Sequence, residues 1–460
     1  MSTVFRGVAR TDGGWRAREL ATAVGTVARV ACRMLLAWSG AVGARAWMKL
    51  GLAAVLGVAP AAWAQDGEPQ AGPRPERLYF NPGSLLGSAR VVALGGAYVG
   101  IAEGAAGFPS NLSALAHRGP SLEKDWDLGV TLSWLDLPFT RGGRKRDLDN
   151  DGRPDESEDS RQLLGGLLLQ YKRFGIGFAL RNSVVSYCAT VACSGDAERI
   201  RVSLTQSVLA GAVAFGQDDF ILALGLYAAQ ASFRLSSGGD DIRYGDTGVE
   251  VDMLYRPHGR PWRLGVTVRP EVIADLRNDG GPQPVLAGRT LSGAVAAPAV
   301  LSLGASWRFG EGAERYNRLS PAARRQLLVE GDALPVPAEE PKEAPAGRWL
   351  LSAQVDLISG VDNAVPVRSF ASTGELETVG RTSEFAPRLG MEHDTVPGMV
   401  RLRAGVYAEP SPFDGRPARP HVTGGFEVFV LRYWEDWAIT ASFDLARRYT
   451  NVGLSVGFWR

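Results

Sequence analysis

From Trp126 to its end, the chain alternates apolar and polar residues in short segments that are separated by turn-like or loop-like sequences. In the first segment every second residue is apolar and tryptophan stands at both ends: Trp126, Leu128, Val130, Leu132 and Trp134. A period of two residues places such side chains on one face of a β-strand. Eight residues at about 3.3 Å each, tilted by roughly 40°, span about 20 Å, close to the apolar band of an outer membrane. The pattern therefore predicts a lipid-facing strand.

The alternation recurs along the chain and predicts an all-β fold, a transmembrane antiparallel β-barrel of about fourteen strands. The segments are 126–134, 163–171, 174–180, 200–215, 220–235, 249–255, 262–269, 301–309, 349–357, 385–391, 400–406, 422–430, 437–445 and 452–458. None of them has the roughly twenty consecutive apolar residues of a membrane-spanning helix. A soluble β-sandwich or propeller shares the alternation. Three features favour the membrane barrel: the secretory signal described below, tryptophan at strand ends, and the alternation of short and long connections.

The connections between these segments predict the orientation of the barrel. If the N-terminal plug enters from the periplasm, odd-numbered strands lead into external loops and even-numbered strands into short periplasmic turns. The insertion 310–347 is a long exception on the periplasmic side. Within it, Ser320 as N-cap, Pro321 at the first helical position and Gly331 past the end predict a helix at 321–330. The proline- and glutamate-rich stretch after it is typical of a flexible linker.

The N-terminal part carries a targeting pattern. Met48 and Lys49 begin a short apolar run that ends in Ala62-Trp63-Ala64, which is typical of a secretory signal peptide over 48–64. Residues 1–47 precede it and are interpreted as a mis-annotated upstream extension. Residues 65–124 are then the N-terminal periplasmic segment and plug, and 125–460 the outer-membrane barrel. The last segment alternates to Phe458, much like the final strand that barrel-assembly machinery recognises.

Composition limits the partners and the redox context. The 460 residues carry a formal net charge of +1, which gives no sign of nucleic-acid binding. Cleavage after Ala64 removes Cys32 and leaves Cys188 and Cys193. A pair five positions apart in an exported chain predicts a small loop disulfide, with two free thiols as the alternative.

A glycine- and alanine-rich stretch, 87–116, precedes the first strand and carries a family resemblance. Its apolar residues fit neither a long helix nor a long strand, so it is predicted to pack inside the barrel. The sequence LGGAYVGIAEGA resembles the N-terminal plug of FadL-type outer-membrane transporters and the related PorV-like proteins. The matching residues are Gly95, Gly96, Ala97, Tyr98, Ile101, Ala102, Glu103, Gly104, Ala105, Asn111, Leu115 and Ala116. Leu112 and Ser113 stand where the family usually has Pro-Ala.

The resemblance implies a function. It implies a plugged, monomeric barrel for the passive uptake of a hydrophobic, fatty-acid-like small molecule, and not an enzyme. The implied plug and substrate contacts are Gly95, Gly96, Tyr98, Gly100, Phe108 and Asn111. Two alternatives stay open, a PorV-like shuttle or scaffold for secreted proteins and an outer-membrane enzyme such as a lipase. The four histidines are scattered without metal spacing, and no motif for a barrel-borne nucleophile is apparent.

The first external loop matches a calcium-binding pattern. Carboxylates at positions 1, 3, 5, 9 and 12, with glycine at position 6, follow the twelve-residue Ca²⁺ loop. The predicted ligands are Asp147, Asp149, Asp151, Asp155 (directly or through water), Glu158, and Arg153 through its carbonyl. The stretch also resembles the repeats of thrombospondin type 3 and has no flanking EF-hand helices. We expect Ca²⁺ to order the loop and not to catalyse; a solvated acidic loop is the alternative.

Overall fold

The structure is a computed structural model that describes most of the chain from Arg77 onward. The described residues are 77–80, 85, 87–120, 122–137, 147–152, 159–188, 199–235, 238, 241–276, 285–286, 289–332, 334, 348–367, 378–432 and 436–458. The predicted extension 1–47 and signal peptide 48–64 lie outside them. So do Cys193 with the side chain of Cys188, and the predicted calcium ligands Arg153, Asp155 and Glu158.

Fourteen antiparallel strands close into one barrel. They are β1 (Trp126–Leu135), β2 (Asp159–Tyr171), β3 (Phe174–Cys188), β4 (Arg199–Phe215), β5 (Phe220–Leu235), β6 (Ile242–Tyr255), β7 (Trp262–Arg269), β8 (Val300–Phe309), β9 (Trp349–Ile358), β10 (Glu384–Val396), β11 (Val400–Glu409), β12 (Arg419–Arg432), β13 (Asp436–Ala446) and β14 (Tyr449–Phe458). Because β1 pairs with β14, the barrel has no open edge. The predicted fold is confirmed, and each predicted segment falls within one strand.

The two ends of the barrel differ in the length of their connections. At the short-turn end, β2 and β3 are joined by residues 172–173 and β4 and β5 by 216–219. At the long-loop end, the connections 270–299 and 359–383 are much longer. In transmembrane barrels the short turns face the periplasm and the long loops face the outside. This agrees with the orientation predicted from the sequence.

The outer face of the barrel is apolar over the width of a membrane. On β4 and β5, Leu209, Leu224 and Leu226 are each close to 60% exposed (60%, 58% and 61%). Exposed aromatic side chains encircle the short-turn end: Trp126, Tyr171, Phe174, Trp307, Phe309 and Trp349. An apolar belt with an aromatic girdle faces lipid. The protein is therefore an outer-membrane barrel.

The described part of the chain has three α-helices, α1 (Ala89–Ala93), α2 (Gly104–Gly107) and α3 (Pro321–Glu330). Among these described helices, none is long and apolar enough to cross a membrane. Helix α3 confirms the helix predicted at 321–330. The Ser320 side chain accepts a hydrogen bond from the Ala323 amide, and Gly331 ends the helix with a φ of 78°. The Ala322 amide donates to the Leu122 carbonyl at 3.1 Å, which fastens α3 to the start of the barrel.

A small sheet lies at the long-loop end and was not predicted. Arg77–Tyr79 is its central strand, parallel to Ala294–Ala297 on one side and to Ala364–Pro366 on the other. Val272–Asp275 pairs with the far edge of Ala294–Ala297. The other three strands belong to external loops, so the described chain starts at the long-loop end. The premise that the N-terminal segment enters the barrel from the periplasm is therefore corrected.

Candidate functional site

Residues 87–116, which we call the inner segment, lie inside the barrel and run from its long-loop end toward β1. Ser88 caps α1, and the Ala89 amide donates to the Ser455 hydroxyl of β14 at 2.8 Å. Ser352 of β9 and Ser306 of β8 donate to the carbonyls of Ala97 and Gly100 at 2.6 and 2.7 Å. The segment has little regular structure of its own. Wall side chains therefore satisfy the backbone groups that would otherwise be buried without partners.

Glycines on both sides let the inner segment lie directly against the wall. The wall glycines that face it are Gly166, Gly175, Gly177, Gly265, Gly304, Gly390, Gly405 and Gly425. A Cβ atom at Gly265 would lie 2.0 Å from the Val99 carbonyl oxygen, and one at Gly175 would lie 2.0 Å from that of Leu115. Real Cβ atoms do not approach that closely, so only glycine permits this contact.

The predicted plug glycines lie at the tightest points of the inner segment. Gly95 and Gly96 have φ of 60° and 75°, in the left-handed region that favours glycine. A Cβ at Gly95 would lie 2.9 Å from the Leu389 oxygen in β10, and one at Gly100 would lie 2.7 Å from the Ala305 backbone in β8. These three glycines therefore serve the contact between inner segment and wall.

The other predicted substrate contacts are fully buried between the inner segment and the wall. The amides of Tyr98 and Val99 donate to the Gln354 side chain of β9 at 3.0 Å, and the Tyr98 hydroxyl donates to the Glu103 carbonyl. Asn111 donates to the carbonyls of Val99 and Met253 at 2.9 and 3.3 Å. Phe108 is 0% exposed within an apolar cluster against β2–β6. A ligand would reach these side chains only after the inner segment has moved.

A buried ionic network joins the inner segment to the wall. Arg90 contacts Glu103 at 3.1 Å and Glu392 of β10 at 3.5 Å. Glu103 in turn binds Arg263 of β7 at 2.8 Å. Arg403 of β11 extends the network by contacting Glu392 at 2.7 Å. Because buried charges are tolerated only when paired, these contacts hold the inner segment in one position. The alternation along Trp262–Arg269 puts Arg263 on the face opposite the apolar residues, but it does not indicate that Glu103 is its partner.

The inner segment leaves little open space beside it. A recess of about 70 Å³ lies between Arg90, Glu103 and the wall strands β11–β14 and β1. An apolar cavity that takes up benzene has a volume of about 150 Å³. The recess is too small for a hydrocarbon ligand, so passage through this part of the barrel requires the inner segment to shift.

One side of the inner wall, along β4 and β5, is largely apolar. The inward residues of β5 are all apolar: Ile221, Ala223, Gly225, Tyr227, Ala229, Ala231 and Phe233. On β4 the inward residues Ile200, Val202, Val208 and Ala210 continue this surface, which we call the apolar track. Arg181 and Gln206 interrupt it near its middle, joined by a hydrogen bond of 3.2 Å. A water-filled pore would have a polar lumen here.

The long-loop end of the apolar track is covered by an apolar cluster. Phe233 and Tyr244 pack edge to face, with ring centroids 5.6 Å apart. Leu78 of the central strand of the small sheet, together with Val295 and Val365 from its neighbours, completes the cluster. The small sheet therefore closes the apolar track from the outside.

The calcium-type loop brings its first three carboxylates together. One ligand atom each of Asp147, Asp149 and Asp151 lies within 4.8 Å of the others. The Asp147 carboxylate accepts from the amides of Asp151 and Gly152 at 3.1 and 3.0 Å. Burial raises the pKa of the Asp147 carboxyl, and Arg419, at 3.6 Å, opposes that shift. These oxygens suit a hard cation, although the Arg419 cation competes for Asp147.

A second polar cluster at the long-loop end does not resemble a catalytic site. His421 is buried, and its two ring nitrogens lie 2.7 Å from Asp444 and 2.8 Å from Glu409. Tyr407 donates to the same Asp444 at 2.6 Å. Since both ring nitrogens are already bound to carboxylates, neither can accept a proton from a nucleophile. The cluster joins β11, β12 and β13.

No family model and no curated protein match the chain. Among solved structures, it is similar to the CymD monoaromatic hydrocarbon channel, at 10% identity over 81% of this chain and 96% of that chain, with a TM-score of 0.47. It is also similar to the toluene transporter TodX of Pseudomonas putida, at 12% identity over 82% of this chain and 99% of that chain, again with a TM-score of 0.47.

Proposed function

We propose that this protein is an outer-membrane channel for the passive uptake of small hydrophobic molecules, fatty-acid-like or smaller. The observation that supports this most is the apolar track along the inner face of β5, because a channel for polar solutes would present polar side chains there. The proposal makes the protein a monomeric channel and not an enzyme. The lipid bilayer surrounds it, and the small molecule is its ligand.

Uptake begins at the long-loop end. A ligand first displaces contacts of the apolar cluster around Phe233 and Tyr244, and then follows the apolar track toward the short-turn end. The inner segment blocks its way where Phe108 and Leu112 pack against β2–β6. Since the described inner segment has short helices and glycine-rich turns, it moves without breaking any barrel strand. Movement of the inner segment is therefore the gating step.

The apolar track predicts the effect of one inward substitution. Ala231→Gln places an amide on the track, where Ala231 is now 2% exposed. A hydrophobic ligand that passes this amide displaces its water and offers it no hydrogen bond in return. Uptake is therefore expected to fall to roughly one tenth. The measurement is uptake of radiolabelled oleate and of radiolabelled toluene by proteoliposomes.

Ala228→Gln is the matched control, because Ala228 lies on the outward face of the same strand. It is expected to transport both probes at the wild-type rate. Wild-type protein that is no faster than empty liposomes would remove the channel function. Equal rates for wild type and Ala231→Gln would instead remove the apolar track as the route.

Calcium ordering of the first external loop is part of the proposal. The three converging carboxylates supply part of a calcium coordination sphere, and Gly152, with φ of 77°, permits the turn between them. The ion would fasten this loop to β11, since Asn150 already donates to the Glu409 carbonyl at 3.2 Å. Its role is structural.

Removing calcium is expected to loosen this loop without opening the barrel. Extracellular calcium modules bind with Kd of about 10⁻⁴–10⁻³ M, so a chelator should expose the loop to protease. Asp149→Asn should weaken calcium binding by roughly tenfold or more in calorimetry. Asp414→Asn, an exposed carboxylate in the loop between β11 and β12, is the control. Identical protease patterns with and without chelator would contradict the calcium site.

A further inference from the structure

A polar recess lies on the outer wall of β2–β6, beyond the apolar belt. It has a volume of about 340 Å³. The residues that line it are Arg161, Val184, Ser186, Arg201, Ser203, Ser232, Arg234 and Asp241. These positions face away from the lumen, since their neighbours Ile200, Val202 and Phe233 pack inside the barrel. The recess is therefore accessible from the outer leaflet and not from the transport route.

The strand register concentrates positive charge in this recess. Arg201 of β4 lies directly opposite Arg234 of β5 on the same face. Like charges placed opposite each other on adjacent strands are destabilising. Asp241 contacts Arg234 at 3.7 Å and Arg243 at 3.2 Å, so one carboxylate is divided between two arginines. An anion bound between Arg201 and Arg234 would relieve their repulsion.

The polar recess lies on one side of the barrel, and the wall next to it on the membrane side is suited to acyl chains. Outward positions at the long-loop ends of β11, β12 and β13 hold Ala408, Pro420 and Leu445, which carry no charge. On the recess side, Arg161 lies two residues beyond the exposed Leu163 of β2. Farther down the same wall, a row of exposed apolar side chains crosses three strands at one level: Phe178, Leu209 and Leu226. The positive charge therefore lies where the head group of an outer-leaflet lipid would be, and the apolar surface lies where its acyl chains would be.

We infer that this recess binds the phosphate groups of an outer-leaflet glycolipid, whose acyl chains lie on the apolar surface below. Arginine is suited to this because its planar guanidinium binds phosphate oxygens through two parallel hydrogen bonds. The hydroxyls of Ser203 and Ser232 supply further donors between the arginines. The Asn182 amide, which donates to Ser203 and Thr205 at 3.0 and 2.8 Å, fixes the polar row beneath the recess. The bound lipid holds the projecting ends of β3–β6 at the membrane surface.

The test measures binding of bis-phosphorylated lipid A to the purified barrel in non-ionic detergent by native mass spectrometry. The double variant Arg201→Gln/Arg234→Gln is expected to bind it roughly tenfold or more weakly than wild type, because two charge-assisted contacts are lost. Dephosphorylated lipid A should bind wild type and variant equally weakly. Added salt should weaken lipid binding to the wild type much more than to the variant.

Arg447→Gln, an exposed arginine at the same end between β13 and β14, is the matched control and should bind like wild type. A gel shift on boiling verifies that each variant is folded. Equal affinity of the wild type and the double variant for lipid A would overturn the site. Displacement of the lipid by inorganic phosphate at the lipid's own concentration would overturn the lipid assignment. Because the recess lies outside the lumen, uptake by the variants stays at the wild-type rate if the channel proposal holds.

Discussion

Replacing Arg263 by methionine is expected to release the inner segment and to destabilise the barrel by about 3–5 kcal/mol, the usual effect of removing one partner of a buried ion pair. Arg263 is 2% exposed and donates to Glu103 at 2.8 Å and to the Ile101 carbonyl at 2.9 Å. It also donates to Asn317 at 2.7 Å and to the Tyr316 carbonyl at 2.9 Å. Methionine retains apolar bulk and removes all four contacts, so Glu103 depends on Arg90 alone.

The readouts are the temperature at which the folded band is lost on a gel and trypsin cleavage after Arg90. In wild type Arg90 is 6% exposed, so cleavage there reports movement of the inner segment. Arg315→Met removes a half-exposed arginine that is adjacent in sequence to Tyr316, and it should change stability by less than about 0.5 kcal/mol. Adding Glu103→Gln to Arg263→Met should recover part of the loss, because it removes the uncompensated charge. An unchanged midpoint and an intact Arg90 site would show that the pair does not hold the segment.

The barrel strands could be predicted because lipid and lumen impose opposite demands on alternate residues. On β9, for example, Leu351 faces lipid at 45% exposure while Leu350 is buried at 2%. Each strand repeats this contrast over several residues, which makes a period of two detectable without knowing any neighbour. The helix at 321–330 could be predicted for a similar reason, since its cap residues act on their own backbone.

The contacts between the inner segment and the wall could not be predicted, because they depend on residues far apart in the chain. Gly265 faces Val99 only once the register of β7 and the path of the inner segment are both set. The signal in the sequence was the glycine at inward positions of several strands, and it gave no partner. The short strand Arg77–Tyr79 pairs with segments more than 200 residues away and has too few residues to show a period.

The two sides of the lumen have different tasks in the proposed function. The apolar track on β4 and β5 gives a hydrophobic ligand an apolar surface that Arg181 and Gln206 interrupt near its middle, whereas Arg263 of β7 and Glu392 of β10 bind the charges of the inner segment. An apolar ligand gains nothing from the ionic side, so it does not compete for the contacts that hold the inner segment. The gate can therefore open along the apolar track while its ionic attachment persists.

Replacing Gly265 by leucine is expected to prevent the inner segment from packing against β7 and so to open the lumen. The added Cβ would lie 2.0 Å from the Val99 carbonyl oxygen and 3.1 Å from the Asn111 side chain, so the inner segment must move away from β7. Overpacking of a close contact typically costs about 1–3 kcal/mol, which the antiparallel ladder of β7 with β6 and β8 can absorb. The barrel should still form, with a displaced inner segment.

Conductance in planar bilayers measures this opening. The variant should show steady ion currents roughly tenfold or more above wild type. Each 1.4 kcal/mol lost from the free energy that holds the inner segment against the wall raises the fraction of open barrels about tenfold. Gly211→Leu is the matched control, since Gly211 faces outward on β4 and its nearest atom would be 3.9 Å from the new Cβ. It should conduct like wild type. A folded Gly265→Leu barrel without added current would show that the seated inner segment is not what closes the lumen, and the gating step would have to be sought in the small sheet at the long-loop end.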